Sequence, residues 1–407
     1  MPSRLLPSRP NLDQLRHQAK DLLRGARAGE VSAVDDFRAF HPERIDPASA
    51  ALADAQLVLA RSYDAASWPQ LAAAVRAIDA VERDDMDALR DVVAAHPDLE
   101  RARGGARDRG WPAPLADAGD RAIRRIMQGL RDRGVHSADA LAARPDLQPA
   151  LETMRLLGRL GGRPARDWVG GSVEVLRGSD YALFVEIGAE VRDALSHTAL
   201  ALETYARHPE GKHRILEVMA EHGVALPDTP PMAVHRGRFD LLEQHLRRDP
   251  AMLTRTFRHD EIYPPSLACH AEHKLALHGA PLAGATLLHM AVDFEELDVA
   301  RWLLDRGMDV NVRADVDADG FGGHTPLFST VVTYNAGRKD EPLARLLLDH
   351  GADPNARASI RKELPFFRDP SVHDYRDVTP IGWARQFHDQ GMVSQGALRL
   401  IEERGGA

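Results

Sequence analysis

Residues 286–311 read TLLHMAVDFEELDVARWLLDRGMDVN, two helix-like segments separated by a short turn. The second segment places Leu297, Ala300 and Leu304 on one face of a helix, because apolar residues three or four apart share a side. Gly307 follows the last apolar position, where a helix end takes a left-handed conformation that glycine adopts at low cost. One helical hairpin cannot bury its apolar face alone, so the pattern should recur along the chain.

The pattern recurs twice toward the C-terminus. A second copy runs from TPL at 325–327 to LLLDHGADPN at 346–355, and a third runs from TPIGWA at 379–384 to LRLI at 398–401. These residues resemble the ankyrin repeat, whose signature is Thr-Pro-Leu-His-x-Ala with a Gly-Ala-Asp-x-Asn end and a period of about 33 residues. We therefore predict an all-α fold, an ankyrin-repeat α-solenoid with an N-terminal helical cap and long finger-loop insertions.

Each copy departs from the signature at a few positions. In the first copy, Leu287 replaces the proline and Glu295 replaces a turn glycine. In the second copy, Phe328 and Thr330 stand where the family has histidine and alanine. In the third copy, Gly382 replaces the histidine. The first copy therefore matches the signature best, and the third copy matches it least.

The chain divides into three predicted regions. Residues 1–79 form an N-terminal helical capping region, in which Asn11 is a good N-cap for the first helix. Residues 80–253 contain degenerate ankyrin-like helical repeats, with an insertion around 136–178 where paired glycines interrupt the helical pattern. Residues 254–407 contain ankyrin repeats with enlarged inter-repeat loops.

Composition and charge narrow the class of protein. The 407 residues are 44% hydrophobic and 28% charged, which is typical of a globular protein. A formal charge of -9 argues against a nucleic-acid partner, because phosphate backbones attract basic surfaces. The single Cys269 excludes an intrachain disulfide framework. No secretion signal and no membrane-length apolar run is evident, so we predict a cytoplasmic protein that does not bind membranes.

The spacing of the repeats points to three insertions. The repeat starts at Thr286 and Thr325 are 39 residues apart, and the next start, Thr379, follows after 54 residues. The extra residues fall at 312–324 and 357–378, and a longer stretch precedes the first copy at 254–285. We name 254–285, 312–324 and 357–378 the first, second and third insertions. Because inter-repeat loops project from one edge of an ankyrin stack, we expect the three insertions to lie together.

The candidate binding residues are polar and aromatic side chains on the insertions, together with first-helix residues expected to line a concave groove. On the insertions they are His259, Asp260, Glu261, Tyr263, His270, His273, Asp315, Asp317, Asp319, His324, His373, Asp374 and Tyr375. In the groove they are Met290, Asp293 and Phe294, with Ser329 and Thr333 beside them. Loops on a rigid scaffold are where binding residues concentrate, so these positions are the first to consider.

Two stretches carry metal-ligand residue types, and each has a simpler explanation. CHAEH at 269–273 contains zinc-type ligands, but its spacing is not HExxH, and a polar surface helix explains it as well. DVDADG at 315–320 copies the first half of a calcium loop, but Pro326 occupies the position of the closing glutamate. A solvated turn with Asx hydrogen bonds is the favoured interpretation there. We predict no metal site and no cofactor.

Two functional hypotheses remain open from the sequence. The resemblance implies a binding module that holds an unidentified protein partner in its groove and loops, with no enzymatic activity. The alternative is a small-molecule or divalent-metal site, including a catalytic one, formed by the insertions. A pair such as His373 with Asp374, or His324 with Asp317, would supply its acid–base chemistry. His289 sits at the signature position, where its ring is predicted to tie backbone loops together.

Overall fold

The computed structural model describes residues 4–104, 109–191, 194–267, 279–333, 336, 341–364 and 369–407. These residues are mostly helical, as predicted. The chain divides into two compact units: unit 1 contains Met1–Val169 and Leu183–Glu190, and unit 2 contains Gly170–Ala182 and Val191–Ala407. The three regions predicted from the sequence, the N-terminal cap and a solenoid spanning the whole chain stay predictions.

Unit 1 is built from helices that begin at clear sequence signals. Its helices are α1 (Leu12–Arg27), α2 (Val31–Phe40), α3 (Leu52–Ser62), α4 (Trp68–Glu82), α5 (Met86–Ala95), α6 (Pro112–Asp132), α7 (Ala138–Ala142) and α8 (Gln148–Arg159). The Asn11 side chain accepts a hydrogen bond from the Gln14 N–H at 3.0 Å, and Ser67 Oγ accepts one from Gln70 at 3.3 Å. These N-caps satisfy backbone donors that a helix start leaves free.

The core of unit 1 lies between α4 and its neighbours α3, α5 and α6. On α4, the apolar residues Leu71, Val75 and Ile78 recur at helical spacing, and all three are buried. Trp111, just before α6, is also buried, and its indole N–H donates to the Asp64 carbonyl at 3.2 Å. The polar end of this large side chain is therefore satisfied inside the core.

Helices α9 (Arg166–Glu174) and α10 (Gly178–Ile187) each contain a boundary between the ranges of the two units. The remaining helices of unit 2 are α11 (Ala194–Glu203), α12 (Pro209–Glu221), α13 (Pro230–His235), α14 (Phe239–Arg248), α15 (His259–Ile262), α16 (Leu287–Asp293), α17 (Leu297–Asp305), α18 (Phe328–Val331), α19 (Pro342–Asp349), α20 (Pro380–Gln386) and α21 (Gln395–Glu403). In the described part of the chain, no helix is both long and apolar enough to span a membrane.

The helices of unit 2 pair and stack as the repeat pattern predicts. Helix α13 pairs with α14, α16 with α17, and α20 with α21. The first helices α13, α16, α18 and α20 contact one another in sequence order, and the second helices α17, α19 and α21 do the same. The third copy therefore packs on the second as another helical hairpin, although its signature is the weakest.

Asparagine side chains join the ends of successive repeats. The Asn311 amide donates to the Gly351 carbonyl at 3.1 Å, and its Oδ1 accepts from the Asp353 N–H at 2.7 Å. One repeat later, Asn355 makes the same pair of bonds, to the Gly405 carbonyl at 2.9 Å and from the Ala407 N–H at 2.9 Å. We name each pair of bonds an asparagine clamp.

The third insertion corrects the all-α prediction. It contains an antiparallel hairpin of β1 (Ala358–Glu363) and β2 (Val372–Val378), in which Ile360 pairs with Tyr375. Along β1, buried and partly exposed residues alternate, as expected when successive side chains point to opposite faces of a strand. Lys362 shares the buried face with Ile360, so a charged residue occupies a position that usually carries an apolar one.

Candidate functional site

The three insertions meet around one recess in unit 2, with a volume of about 630 Å³. The end of α11 completes its wall. Its ionisable lining residues are Glu203, Arg258, His259, Asp260, Asp315, Asp317, His324 and Arg361. Large apolar or aromatic side chains on the wall are Tyr263, Val316, Phe321 and Ile360. The expectation that the insertions lie together therefore holds for the described residues.

Backbone hydrogen bonds connect the insertions to one another. The first and second insertions are joined by the Asp315 N–H, which donates to the Gly284 carbonyl at 2.8 Å. The second and third are joined by Gly322 and Ser359, whose N–H groups each donate to the other's carbonyl at 2.7 and 3.3 Å. A side-chain bond adds to the first junction, since Thr256 Oγ1 donates to Asp315 Oδ2 at 2.9 Å. The recess is therefore held by a hydrogen-bonded frame.

Close backbone approach at Gly322 explains one feature of the second insertion. Its φ is +119°, and a Cβ placed there would lie 1.9 Å from the Asp315 carbonyl oxygen. A residue with a side chain is excluded by both the backbone conformation and this contact. The glycine-rich segment of the second insertion thus lets two backbone strands meet at the edge of the recess.

Both arginines on the recess wall are already paired with carboxylates. Arg258 Nε donates to Asp260 at 3.0 Å. Arg361 bridges two insertions, because it donates to Asp374 at 2.8 Å and to Asp319 at 3.0 Å. The Arg361 hydrogen bond holds the pKa of Asp374 below its ordinary value. These contacts fix the arginine side chains and reduce the positive potential that they present to the recess.

Asp317 shapes the turn of the second insertion. Its Oδ1 accepts hydrogen bonds from the backbone N–H groups of Asp319 at 2.9 Å and Phe321 at 2.8 Å. This is the Asx-type turn favoured over a calcium loop. Among the described residues, no group of three or more histidine, cysteine, aspartate or glutamate side chains is placed to hold a metal ion. CHAEH at 269–273, with the candidates His270 and His273, lies outside the described residues.

Two buried histidines connect the repeats to the recess. His289 Nε2 donates to the His324 carbonyl at 3.0 Å, while its Nδ1 accepts from Thr286, as predicted for a loop-tying histidine. His324 Nε2 donates to the Pro281 carbonyl at 3.0 Å. Burial lowers the pKa of His289 to about 3 and that of His324 to about 4. Both rings are therefore neutral at pH 7.

The predicted acid–base pairs are wrong in both cases. His324 contacts the Pro281 carbonyl rather than Asp317. His373 Nε2 lies 3.0 Å from Asp369 rather than pairing with Asp374, and its ring stacks on His388 with centroids 3.8 Å apart. The reason is the strand: neighbouring residues of β2 point to opposite faces, so His373 and Asp374 cannot share one site.

The predicted groove residues are also corrected. Met290, Asp293, Phe294 and Ser329 are all buried, so they do not line an open concave surface. An earlier segment covers Phe294, since the Lys212 ammonium lies 4.0 Å from the centroid of the Phe294 ring.

The covering segment forms two buried ion pairs that the sequence did not reveal. Arg207 Nη2 lies 3.0 Å from Asp293 Oδ2, and Lys212 Nζ lies 3.1 Å from Glu296 Oε1. His213 adds a contact of 2.9 Å to the same Glu296. Buried charges are costly unless paired, so these partners fix the position of α12 against the first ankyrin copy. No local pattern marks Arg207 or Lys212, because both stand in a polar stretch of sequence.

The remaining candidates divide between the recess and its surroundings. Those that line the recess are His259, Asp260, Tyr263, Asp315, Asp317 and His324. Glu261 is not a lining residue, and it accepts a hydrogen bond from the Arg258 N–H at 2.9 Å. Tyr375 lies on β2, and its hydroxyl is 2.6 Å from His388 Nδ1.

Comparison with known proteins identifies the repeats. The model of the ankyrin repeat family matches residues 283–315 and 322–359, which contain the first two copies. A search of the curated proteins finds no match to the chain. The C-terminal region therefore carries two ankyrin repeats, a type of repeat that generally mediates protein–protein interactions.

Proposed function

We propose that unit 2 is a protein-binding module whose partner docks at the recess between the insertions, rather than along a groove formed by the first helices. The recess itself carries this proposal, because it is an indentation built jointly by three insertions on a repeat scaffold. Its volume of about 630 Å³ can receive one or two side chains of a partner.

Two further observations support the recess as the docking surface. The groove positions of the first copy, including Met290 and Phe294, are covered by the chain itself. Val316 on the recess wall is 62% exposed, so its apolar surface is open to a partner. A partner that covered Val316 would gain the free energy of burying apolar surface.

Position-specific crosslinking tests the proposal. A photo-reactive amino acid replaces Val316 in the full chain, and a matched control carries it at Phe239, an exposed position of α14 outside the recess. We expect the position 316 variant to form a discrete adduct with the partner, and we expect excess unmodified chain to suppress it. The position 239 variant should form no such adduct. The same adducts from both positions, or no suppressible adduct at position 316, would reject the recess as the docking surface.

A further inference from the structure

We infer that the recess binds the side chain of a lysine or arginine on an extended segment of the partner protein. The inference rests on the proposed function and names the chemistry that the partner must present. Its first support is the charge balance of the wall, which carries four carboxylates and two guanidinium groups. Because the carboxylates outnumber the guanidinium groups, the wall carries a net negative charge, which attracts a cation.

The two guanidinium groups do not make the recess attractive to an anion. Arg258 is paired with Asp260, and Arg361 is held between Asp319 and Asp374. An anionic ligand would have to compete with these carboxylates for the same donors, and it would also approach the acidic lining. A cation meets no such competition, because it adds a positive group to a region where carboxylates are in excess.

Hydrogen-bond acceptors on the wall support the same chemistry. Asp317 uses Oδ1 for its own turn, and its Oδ2 accepts no hydrogen bond from the described chain. An ammonium or guanidinium group supplies several N–H donors and no acceptor, which matches this oxygen and the other carboxylates of the wall.

The shape of the wall fits the rest of a basic side chain. Tyr263, Val316 and Ile360 line the recess beside the carboxylates, and Val316 is well exposed. Lysine and arginine both carry an apolar stem of methylene groups below a charged end, and they commonly bury the stem while the charge remains hydrated or paired. A compact inorganic cation would use the carboxylates but would leave this apolar surface exposed to water.

A peptide-binding assay on the full chain tests the inference. The probes are four immobilised heptapeptide mixtures with degenerate uncharged flanks and arginine, lysine, norleucine or glutamate at the central position. The variant is Asp317→Asn, which removes the charge but keeps an amide oxygen for the turn. The matched control is Asp309→Asn. The Asp309 side chain likewise accepts a hydrogen bond from the backbone N–H two residues later, that of Asn311, at 2.9 Å, but Asp309 lies outside the recess.

We expect the arginine and lysine mixtures to bind about tenfold more tightly than norleucine or glutamate, since a charge-assisted hydrogen bond contributes about that much. Asp317→Asn should remove most of this preference, and Asp309→Asn should leave it intact. Equal binding of the arginine and glutamate mixtures would overturn the inference. Binding of free agmatine as tight as that of the arginine mixture would also overturn it, because the site would then be a small-molecule site. Either result leaves the crosslinking test at Val316 to judge the proposed function separately.

Discussion

The guanidinium group of Arg207 lies 3.0 Å from the carboxylate of Asp293, and both side chains are only 2% exposed. Arg207 Nε also donates to the Asp293 backbone carbonyl at 2.7 Å. The other carboxylate oxygen accepts from the Gly279 N–H at 2.9 Å. Together these contacts of Asp293 join the segment before α12, the first insertion and the end of α16.

Replacing one member of this pair should destabilise unit 2 strongly. Arg207→Met leaves Asp293 buried without that cation, so we expect a loss of about 3–5 kcal/mol in the free energy of unfolding. Urea denaturation at pH 7 measures this loss. The control is Arg357→Met, which removes an exposed pair with Asp377 and should cost at most about 1 kcal/mol. Equal losses in the two variants would contradict the role assigned to the buried pair.

Acidification should destabilise the protein through its two buried histidines. His289 and His324 have pKa values of about 3 and about 4 in the folded state, against 6.5 for an ordinary histidine. The unfolded chain therefore binds more protons below pH 6.5, and the stability present above that pH is lost as the pH falls toward the folded values. From pH 7.5 to 5.5 the two histidines together should remove about 2–3 kcal/mol.

Denaturation curves at several pH values test this loss, with His289→Gln as the variant and the exposed His350→Gln as the control. The His289 variant should lose about half of the dependence between pH 7.5 and 5.5, and the His350 variant should keep it. An unchanged dependence in the His289 variant would show that the ring is not held neutral by burial.

Two glycines of the second insertion should respond very differently to alanine. Gly322→Ala places a methyl group against the Asp315 carbonyl, so the backbone junction beside the recess must open. Gly320 also has a positive φ, of +83°, but its added Cβ meets nothing within 4 Å. Gly320→Ala should therefore cost only about 1 kcal/mol, and Gly322→Ala should cost clearly more. Thermal melting of both variants measures the difference, and similar melting temperatures would argue against the close approach.

The free energy of unfolding should increase with pH because of the buried Lys362. Burial lowers the pKa of this lysine to about 7, against 10.5 for an ordinary lysine. Between these values the unfolded chain binds a proton that the folded chain lacks, so stability increases with pH by about 1.4 kcal/mol per unit.

Comparison with Lys362→Met isolates this contribution between pH 7.5 and 9.5. Wild type should gain about 2–3 kcal/mol relative to the variant across this interval, since the methionine cannot titrate. Lys20→Met, at an exposed position of α1, should follow wild type. A constant difference between wild type and the Lys362 variant would mean that the lysine keeps its proton in the folded state.

The repeats could be predicted because their signals are local. Helical spacing and turn residues within 286–311 anticipate α16 and α17, and Gly307 has the predicted left-handed conformation with φ of +87°. The meeting of the insertions could also be predicted, because a stack of repeats places its loops on one edge.

The contents of the site could not be predicted, because they depend on distant contacts. Arg207 stands 86 residues before Asp293 in the sequence, although the two side chains are in contact in the folded chain. Nothing near Arg207 in the sequence indicates a buried partner. The β hairpin did leave a signal, since Ala358 and Ile360 alternate with polar residues. Lys362 obscured that signal by placing a charged residue where the alternation requires an apolar one.

The asparagine clamps have a consequence for how such a chain can change. Asn311 and Asn355 tie one hairpin to the next just before the second and third insertions begin, so these ties do not depend on the length of the insertions. Segments at the recess can then be lengthened, shortened or exchanged while the supporting helices keep their positions. A scaffold of this kind allows new specificities to be engineered by grafting loops alone.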